Sequence, residues 1–414
     1  MSFYLNICKW SILSISLEDR SLLLKKINNF FSSWRGLFDL RKLLKSGVRI
    51  AFYSEGNAYR GFLEPVVEEL TTGLNIKICY MTSDPADIFL QNPPTNVNPV
   101  YIGWGSAMIF AFQTLRFDVL VMTMPDLNLF HIKRSFYPVH YIYLQHSLVS
   151  SHMVYRTGAF DHFDSIFCSG PHQIAEIREW EFINGLKAKK LYRHGYAPIE
   201  TVMRGFKSYL SLSPSSPLLK KSHRVLIAPS WGPEGIIDKG ASPLIESILN
   251  AGHHVVLRIH PQSMKTSFTK IRELKKTFMS HSNFKFDPDT SMYESLYDAD
   301  VLVSDWSGIA LEYGLGLERP VIFIDVPRKV NNSRYTELKN VPFEVVVREQ
   351  LGVVLSLNKL DKAADLVTLL TNDKNRFAKK ARNLRDKHVF NLGKSAKIGA
   401  TLIRQIAEKQ RNID

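Results

Sequence analysis

The chain reads as an α/β protein built from two doubly wound halves, and three observations predict it. From Val48 onward, short apolar runs rich in β-branched and aromatic residues alternate with longer helical stretches. That is the pattern of βα units around a buried parallel sheet. The alternation breaks at SLSPSSPLLKKSH, residues 211–223, a Ser/Pro-rich segment ending in a basic turn, and then restarts; this is a linker signature. Finally, 414 residues suit two domains at roughly 100–200 residues each. A content of 45% apolar and 11% aromatic residues excludes disorder as the main state.

The elements follow in order. Residues 20–46 predict a basic amphipathic helix. Leu23, Leu24, Ile27, Phe30, Phe31, Trp34 and Phe38 recur at three and four, among Lys25, Lys26, Arg35, Arg41 and Lys42. Two readings suit it, a helix lying on an anionic membrane surface and a helix packed on its own domain. Strands are expected at Val48–Tyr53, Ile76–Met81, Asp118–Met122, His140–Leu144 and Ser165–Cys168, with helices at Arg60–Leu70 and His172–Trp180. After the linker come strand Val225–Ala228, helix Pro243–Leu249, strand His254–Ile259, helix Phe268–Phe278 and strand Phe284–Phe286. Helix Met292–Tyr297, strand Val301–Ser304, helix Ile309–Leu315 and strand Val321–Ile324 complete the second half. From about Leu360 the chain reads as two or three helices, and no repeat of 20–50 residues is visible. The expected division is a basic helix (1–46), a Rossmann-like acceptor domain (47–212), a Rossmann-like donor domain (213–372) and basic helices (373–414).

Charge and cysteines exclude several classes. The net charge is +14, but residues 1–46 carry +5 and residues 373–414 carry +8, leaving +1 for the whole middle. A nucleic-acid binder concentrates basic residues within its folded modules, so no nucleic-acid partner is expected. Cys8, Cys79 and Cys168 are far apart, with no CxxC or Cys/His cluster; neither zinc site, other metal site nor disulfide framework is predicted. No run approaches the ~18–20 apolar residues of a membrane span. The N-terminus lacks a small-residue cleavage site, so no signal peptide is expected.

Ligands of doubly wound sheets bind beyond the carboxyl ends of the strands, so polar residues there are the candidates. In ADVLVSDWSGIALEYGLGLERPVIFID (299–325), a strand enters the turn Asp305-Trp306-Ser307-Gly308 and then a helix. Free N–H groups at that helix start suit phosphate, Gly308 allows close approach, and Glu312 is placed for a ribose diol. A plain strand–turn–helix with Ser307 as N-cap would read the same way. In LRIHPQ, Arg258 and His260 close a second strand, and His260 can contact a diphosphate or move a proton. In IAPSWG, Pro229, Ser230 and Trp231 leave the first strand of the second half. In the first half His146 ends YIYLQHS, opposite His260, placed as a general base. His152, Arg156 and His162 follow it. The turn SEGNAYRG contributes Asn57 and Arg60 on the acceptor side, and since it is not GxGxxG no dinucleotide is assigned.

Taken in order, these landmarks resemble the CDP-glycerol glycerophosphotransferase family of teichoic-acid and capsule polymer enzymes, well over about residues 140–326. The family's His-Gly-Thr is matched by His146-Ser147-Leu148, its Ala-Pro-Thr-Trp by Ala228-Pro229-Ser230-Trp231 and its His-Pro by His260-Pro261. Its Asp-Tyr-Ser-Ser turn, with an acidic residue seven positions past the Asp, is matched by Asp305-Trp306-Ser307-Gly308 and Glu312. Its Lys/Arg-Pro before the next strand is matched by Arg319-Pro320. The departures are Ser147, Leu148, Gly308 and Glu312 where the family has Gly, Thr, Ser and Asp. The resemblance implies a GT-B fold, a CDP-activated polyol-phosphate donor such as CDP-glycerol, a lipid-linked polymer acceptor, no essential metal and no cofactor. It also implies a cytoplasmic enzyme held peripherally on the inner face of the membrane by basic helices. His146 would be the base and His260 would act on the diphosphate. Arg258, Pro229, Ser230, Trp231, Asp305, Ser307, Gly308 and Glu312 would hold the donor, and Asn57, Arg60, His152 and Arg156 would face the acceptor. The alternative is a nucleotide-sugar glycosyltransferase of capsule or lipopolysaccharide synthesis.

Overall fold

The computed structural model describes residues 17–212, 222–288 and 293–412. Most of the expected linker, Cys8, the N-terminal segment read for a signal peptide and the start of the 292–297 helix lie outside those residues. Two all-parallel sheets form the frame. The first holds β1 (Ile50–Ser54), β2 (Ile78–Thr82), β3 (Val97–Tyr101), β4 (Val119–Met122), β5 (His140–Leu144), β6 (Ser165–Cys168) and β7 (Lys190–Arg193). Its strand order is 3-2-1-4-5-6-7. The second holds β8 (Arg224–Ile227), β9 (His254–Arg258), β10 (Phe284–Asp287), β11 (Val301–Ser304), β12 (Val321–Asp325) and β13 (Gly352–Ser356), in the order 10-9-8-11-12-13. Strands β1, β2, β4, β5, β6 and β11 are buried along their whole length. That burial explains their near-continuous apolar runs. In each sheet the order reverses once, between β1 and β4 and between β8 and β11, and each reversal opens a crevice at the carboxyl edge.

The sequence reading missed β3, β7 and β13. β3 carries Asn98 and Pro99, and β7 (KLYR) exposes both ends, so neither shows an apolar run. β13 (GVVLS) follows helix Phe343–Leu351 without a break. Two expected helices end early as π-turns, at Glu69–Gly73 and Glu312–Gly316.

Helix α1 (Leu17–Lys45) packs one face on its own domain. Leu37 and Leu40 are buried in the first core, with Trp34, Leu43 and Leu44 packed against it, each fully buried Leu contributing about 1.5–3 kcal/mol. Gly36 lies so close to β3 that a Cβ there would be 2.1 Å from the Tyr101 carbonyl oxygen. The opposite face exposes Leu24, Ile27, Phe30, Phe31 and Phe38, beside exposed Trp104 and Phe110. The basic C-terminal helices are not free ends either. Helix α2 (Lys374–His388) holds the second half through Arg385, which bonds the Leu315 carbonyl at 2.8 Å and Glu318 at 3.0 Å. Helix α3 (Ser395–Arg411) crosses back to the first half, where Ala400, Ile403, Ile406 and Ala407 join the core around Leu63, Val66 and Phe167. Its apolar face is therefore consumed by the fold. Among the described residues no helix is long and apolar enough to cross a membrane.

Candidate active site

The donor-side crevice opens between β8 and β11. Asp305, just past β11, is 1% exposed. Its carboxylate accepts the Ser230 N–H at 2.7 Å and the Ile236 N–H at 3.2 Å. Asp305 thus clamps the loop from Pro229 to Ile236 against the 305–308 turn. Ser304 reinforces it, its hydroxyl donating to the Ala228 carbonyl at 2.6 Å. Ser307 stands at the N-cap in extended conformation without making a side-chain cap bond, which leaves its hydroxyl for a ligand. Pro229 and Ser230 are buried, while Trp231 is partly exposed at the crevice edge.

Two cationic or imidazole groups face this loop. The Trp231 and His260 rings lie 6.3 Å apart, and the Lys329 ammonium sits 3.6 Å from the Trp231 ring centroid. Such a cation–π contact is worth about 0.5–2 kcal/mol. The His260 Nδ1 accepts the Gln262 N–H at 3.1 Å, so in the neutral ring Nε2 carries the proton and points a donor outward. Burial, helped by the Lys329 charge, lowers the His260 pKa to about 4. Burial also lowers Lys329 to about 8, partly offset by Asp305. Arg258 is buried behind them; burial raises the pKa values of Glu312 and Tyr293, and the Arg258 charge partly offsets that rise. Sequence reasoning missed Lys329, although it lies in the short run after β12, the next strand along from the Asp305 turn.

The first-half crevice is different. His146 follows β5, and its Nδ1 is 2.9 Å from the Tyr143 hydroxyl. The Tyr155 hydroxyl lies 3.5 Å from Nε2. The Phe62, Tyr155 and Tyr59 rings surround it at 5.6, 5.7 and 6.4 Å. Desolvation in this aromatic ring lowers the His146 pKa to about 4, against a hydrogen bond to the Thr123 backbone that works the other way. Glu55, one residue past β1, shares the crevice; burial raises it to about 7, and its charge is felt by Tyr53, Tyr59 and Tyr143.

The residues expected on the acceptor side have their polar groups engaged within the protein. Asn57 is spent on structure, bonding the Ala86 carbonyl at 2.8 Å and the Ile88 N–H at 3.0 Å. Arg60 pairs with Glu64 at 2.9 Å, and Arg156 with Asp126 at 3.7 Å. His152 is buried with Ser150 (2.9 Å) and Glu176 (3.4 Å). His162 offers its backbone carbonyl to Arg134. The aromatic wall and Glu55 escaped the sequence reading because no motif marks them. Their signal is positional, since each lies on or beyond the carboxyl end of β1 or β5, or on the helix after β1.

The two crevices meet. The Tyr196 hydroxyl is 2.6 Å from Glu312 Oε1 and 3.1 Å from the His146 carbonyl oxygen. Burial raises the Glu312 pKa, opposed by the Tyr196 bond and the Arg258 charge. One step along, Ser147 touches the 307–308 turn: a Cβ built at Gly308 would be 2.9 Å from Ser147 Oγ. The loop after His146 is then fastened to the second half. The Ser150 N–H bonds Glu344 at 2.8 Å, Met153 is fully buried in the second core, and Asn332 bonds the His152 carbonyl at 2.9 Å. His146 therefore follows a first-half strand, while the loop after it is fastened to the donor half. Among the described residues no group of three or more His, Cys, Asp or Glu is placed to hold a metal.

The comparisons agree with this two-sheet fold. A solved structure of a CDPG-soaked variant of the wall teichoic acid polymerase TagF is 16% identical, covering 93% of this chain and 99% of that chain at a TM-score of 0.55. The UDP-GlcNAc 2-epimerase of Methanocaldococcus jannaschii is 13% identical over 87% and 99%, with a TM-score of 0.53. A putative UDP-N-acetylglucosamine 2-epimerase of Listeria monocytogenes is 10% identical over 87% and 97%, with a TM-score of 0.58. At these identities the likeness establishes the fold, which is GT-B. No curated protein sequence matches the chain. The family model for CDP-glycerol:poly(glycerophosphate) glycerophosphotransferase matches residues 180–389, just over half of the chain and including the whole donor crevice. The chain is a GT-B transferase and belongs to the CDP-glycerol:poly(glycerophosphate) glycerophosphotransferase family.

Proposed function

We propose that this enzyme transfers glycerol phosphate, or a related polyol phosphate, from its CDP-linked form to a hydroxyl of a teichoic acid-like or capsule polymer, releasing CMP. The observation that carries the reading, beside family membership, is the meeting of His146 with the donor turn through Tyr196, Glu312 and Ser147. The acceptor oxygen forms a bond to the β-phosphorus while the bond from that phosphorus to the bridging oxygen breaks. The electron pair leaves on CMP, and the acceptor proton goes to the His146 ring. A pKa near 4 keeps His146 unprotonated at neutral pH, so the ring is available to accept that proton.

Most of the work is charge stabilisation, because phosphoryl transfer asks little covalent chemistry of the protein. The His260 Nε2–H, the Lys329 ammonium, the Ser307 hydroxyl and the Gly308 amide converge on the diphosphate, and preorganised donors of this kind usually supply the largest share of rate. Glu312 takes the ribose diol with Arg258 behind it. Asp305 and Ser230 shape the loop, and Pro229 and Trp231 wall the nucleotide.

The acceptor is lipid-linked, and the protein works from the cytoplasmic face of the membrane. Support comes from the exposed apolar face of α1, Leu24, Ile27, Phe30, Phe31 and Phe38, bordered by Lys25, Lys26, Arg35, Arg41 and Lys42. Such a face inserts shallowly into a headgroup layer, and each engaged Lys or Arg adds about 1 kcal/mol at an anionic surface. The test is a nucleotide panel followed by label transfer. CDP should stabilise the protein against heat more than UDP or GDP, and labelled CDP-glycerol should pass its label to a lipid-linked acceptor. Preference for UDP, with turnover of a UDP-sugar, would replace this reading with the glycosyltransferase one.

A further inference from the structure

A side chain at position 308 would crowd the Ser147 hydroxyl. Ser147 comes from the loop after β5 and Gly308 from the turn after β11, yet a Cβ at 308 would fall 2.9 Å from Ser147 Oγ. Real Cβ contacts are not that short, so a side chain at 308 would displace the Ser147 hydroxyl from this position. The space lies between the base and the donor turn, next to His146 on one side and Ser307 on the other. Ser147 is well held there. Its carbonyl accepts Gln173 Nε2 at 3.0 Å, and its Oγ accepts the Val149 N–H at 3.3 Å. That second bond uses an oxygen lone pair and leaves the hydroxyl hydrogen free to donate. The residue is half-buried.

We propose that Ser147 is a donor-binding residue supplied in trans by the first half, its hydroxyl donating to an oxygen of the β-phosphate that is transferred, and that Gly308 is glycine in order to leave it room. The role rests on the proposed reaction only for the word "transferred"; the contact itself is to any cytidine diphosphate in the cleft. Because Ser147 is bonded to His146 through one peptide unit, the same contact sets the base against the phosphorus it serves.

The test is a cycle of titrations with CDP and CMP by calorimetry on the full chain. Ser147→Ala keeps the Cβ and removes the hydroxyl. It should weaken CDP about tenfold, the scale of one hydrogen bond to a charged oxygen, and leave CMP within about twofold. Gly308→Ser alone pushes the Ser147 hydroxyl aside and should weaken CDP by at least that much. Ser147→Gly combined with Gly308→Ser returns one hydroxyl from the other side and should recover CDP binding to within about threefold of wild type. Three results would overturn the proposal: unchanged CDP binding by Ser147→Ala, equal loss for CDP and CMP, or a double variant no better than Gly308→Ser. Absence of CDP binding by the wild type would overturn it as well. If Gly308→Ser fails to fold, the CDP–CMP contrast of Ser147→Ala still decides. Should the wild type bind CDP but release no CMP from CDP-glycerol, the reaction falls and the titrations still judge Ser147.

Discussion

The two crevices are made of different materials. The donor side is polar and cationic: Arg258, His260 and Lys329 stand around a loop that Asp305 pins by two backbone N–H groups. The first-half side is aromatic and acidic: His146 stands among Tyr59, Phe62, Tyr143 and Tyr155, with Glu55 beneath. The difference separates the two jobs. A diphosphate needs fixed positive charge and aligned donors. A hydroxyl nucleophile needs an unprotonated base in a place that excludes water, and the aromatic ring supplies that by desolvation.

Removing the base should break the comparison most severely. His146→Ala is expected to lower kcat by about 10²–10⁴ while leaving CDP affinity within a few-fold, read by calorimetry beside turnover. A matching loss of CDP binding would move His146 to the donor side. On the donor side, Lys329→Met should raise the KM for the CDP donor about tenfold or more, the loss of one charge-assisted contact, with a smaller change in acceptor KM.

The pH profile of kcat/KM sharpens the same division. His146 is the active base when unprotonated, so its lowered pKa puts the acid limb near pH 4 rather than at the ordinary histidine value. Lys329 acts when protonated, so its lowered pKa puts a basic limb near pH 8. The basic limb should vanish in Lys329→Met and persist in His146→Gln.

Asp305→Ala tests the clamp. Each backbone N–H left unsatisfied in that buried place costs about 1–3 kcal/mol, so thermal unfolding should fall and CDP affinity with it. Tyr59→Ala should have the smallest effect, a few-fold rise in acceptor KM with donor KM unmoved. Beyond the crevices, Phe31→Ser with Phe38→Ser should abolish binding to anionic vesicles without touching turnover of a soluble acceptor. Vesicle binding by wild type should fall steeply with salt.

How much of this was legible in the sequence follows the same division. The donor crevice is local: Ala228–Trp231, His260-Pro261 and Asp305–Glu312 each leave one strand, and a short motif carries them. Even there the loop-holding role of Asp305 was not legible, because a carboxylate that holds a loop and one that holds a ligand look alike until the backbone partners are known. The aromatic wall is assembled from β5, the helix after β1 and the loop after His146, and only the strand order 3-2-1-4-5 brings them together. Asn57 and Arg60 sit on the right helix with their polar groups bonded within the protein, while their neighbours Glu55 and Tyr59 share the crevice of His146. The basic ends were read as one membrane feature. The structure divides them, because α3 spends its apolar face on the first core while α1 keeps one face exposed.

The central claim is that a phosphoryl group moves between these crevices, and the nucleotide released in a single turnover tests it most directly. Wild-type enzyme mixed with CDP-glycerol and a lipid-linked acceptor should release CMP in step with label reaching the acceptor, and His146→Ala should suppress both. Release of CDP, with the phosphates still joined, would mean attack at carbon and would contradict the account.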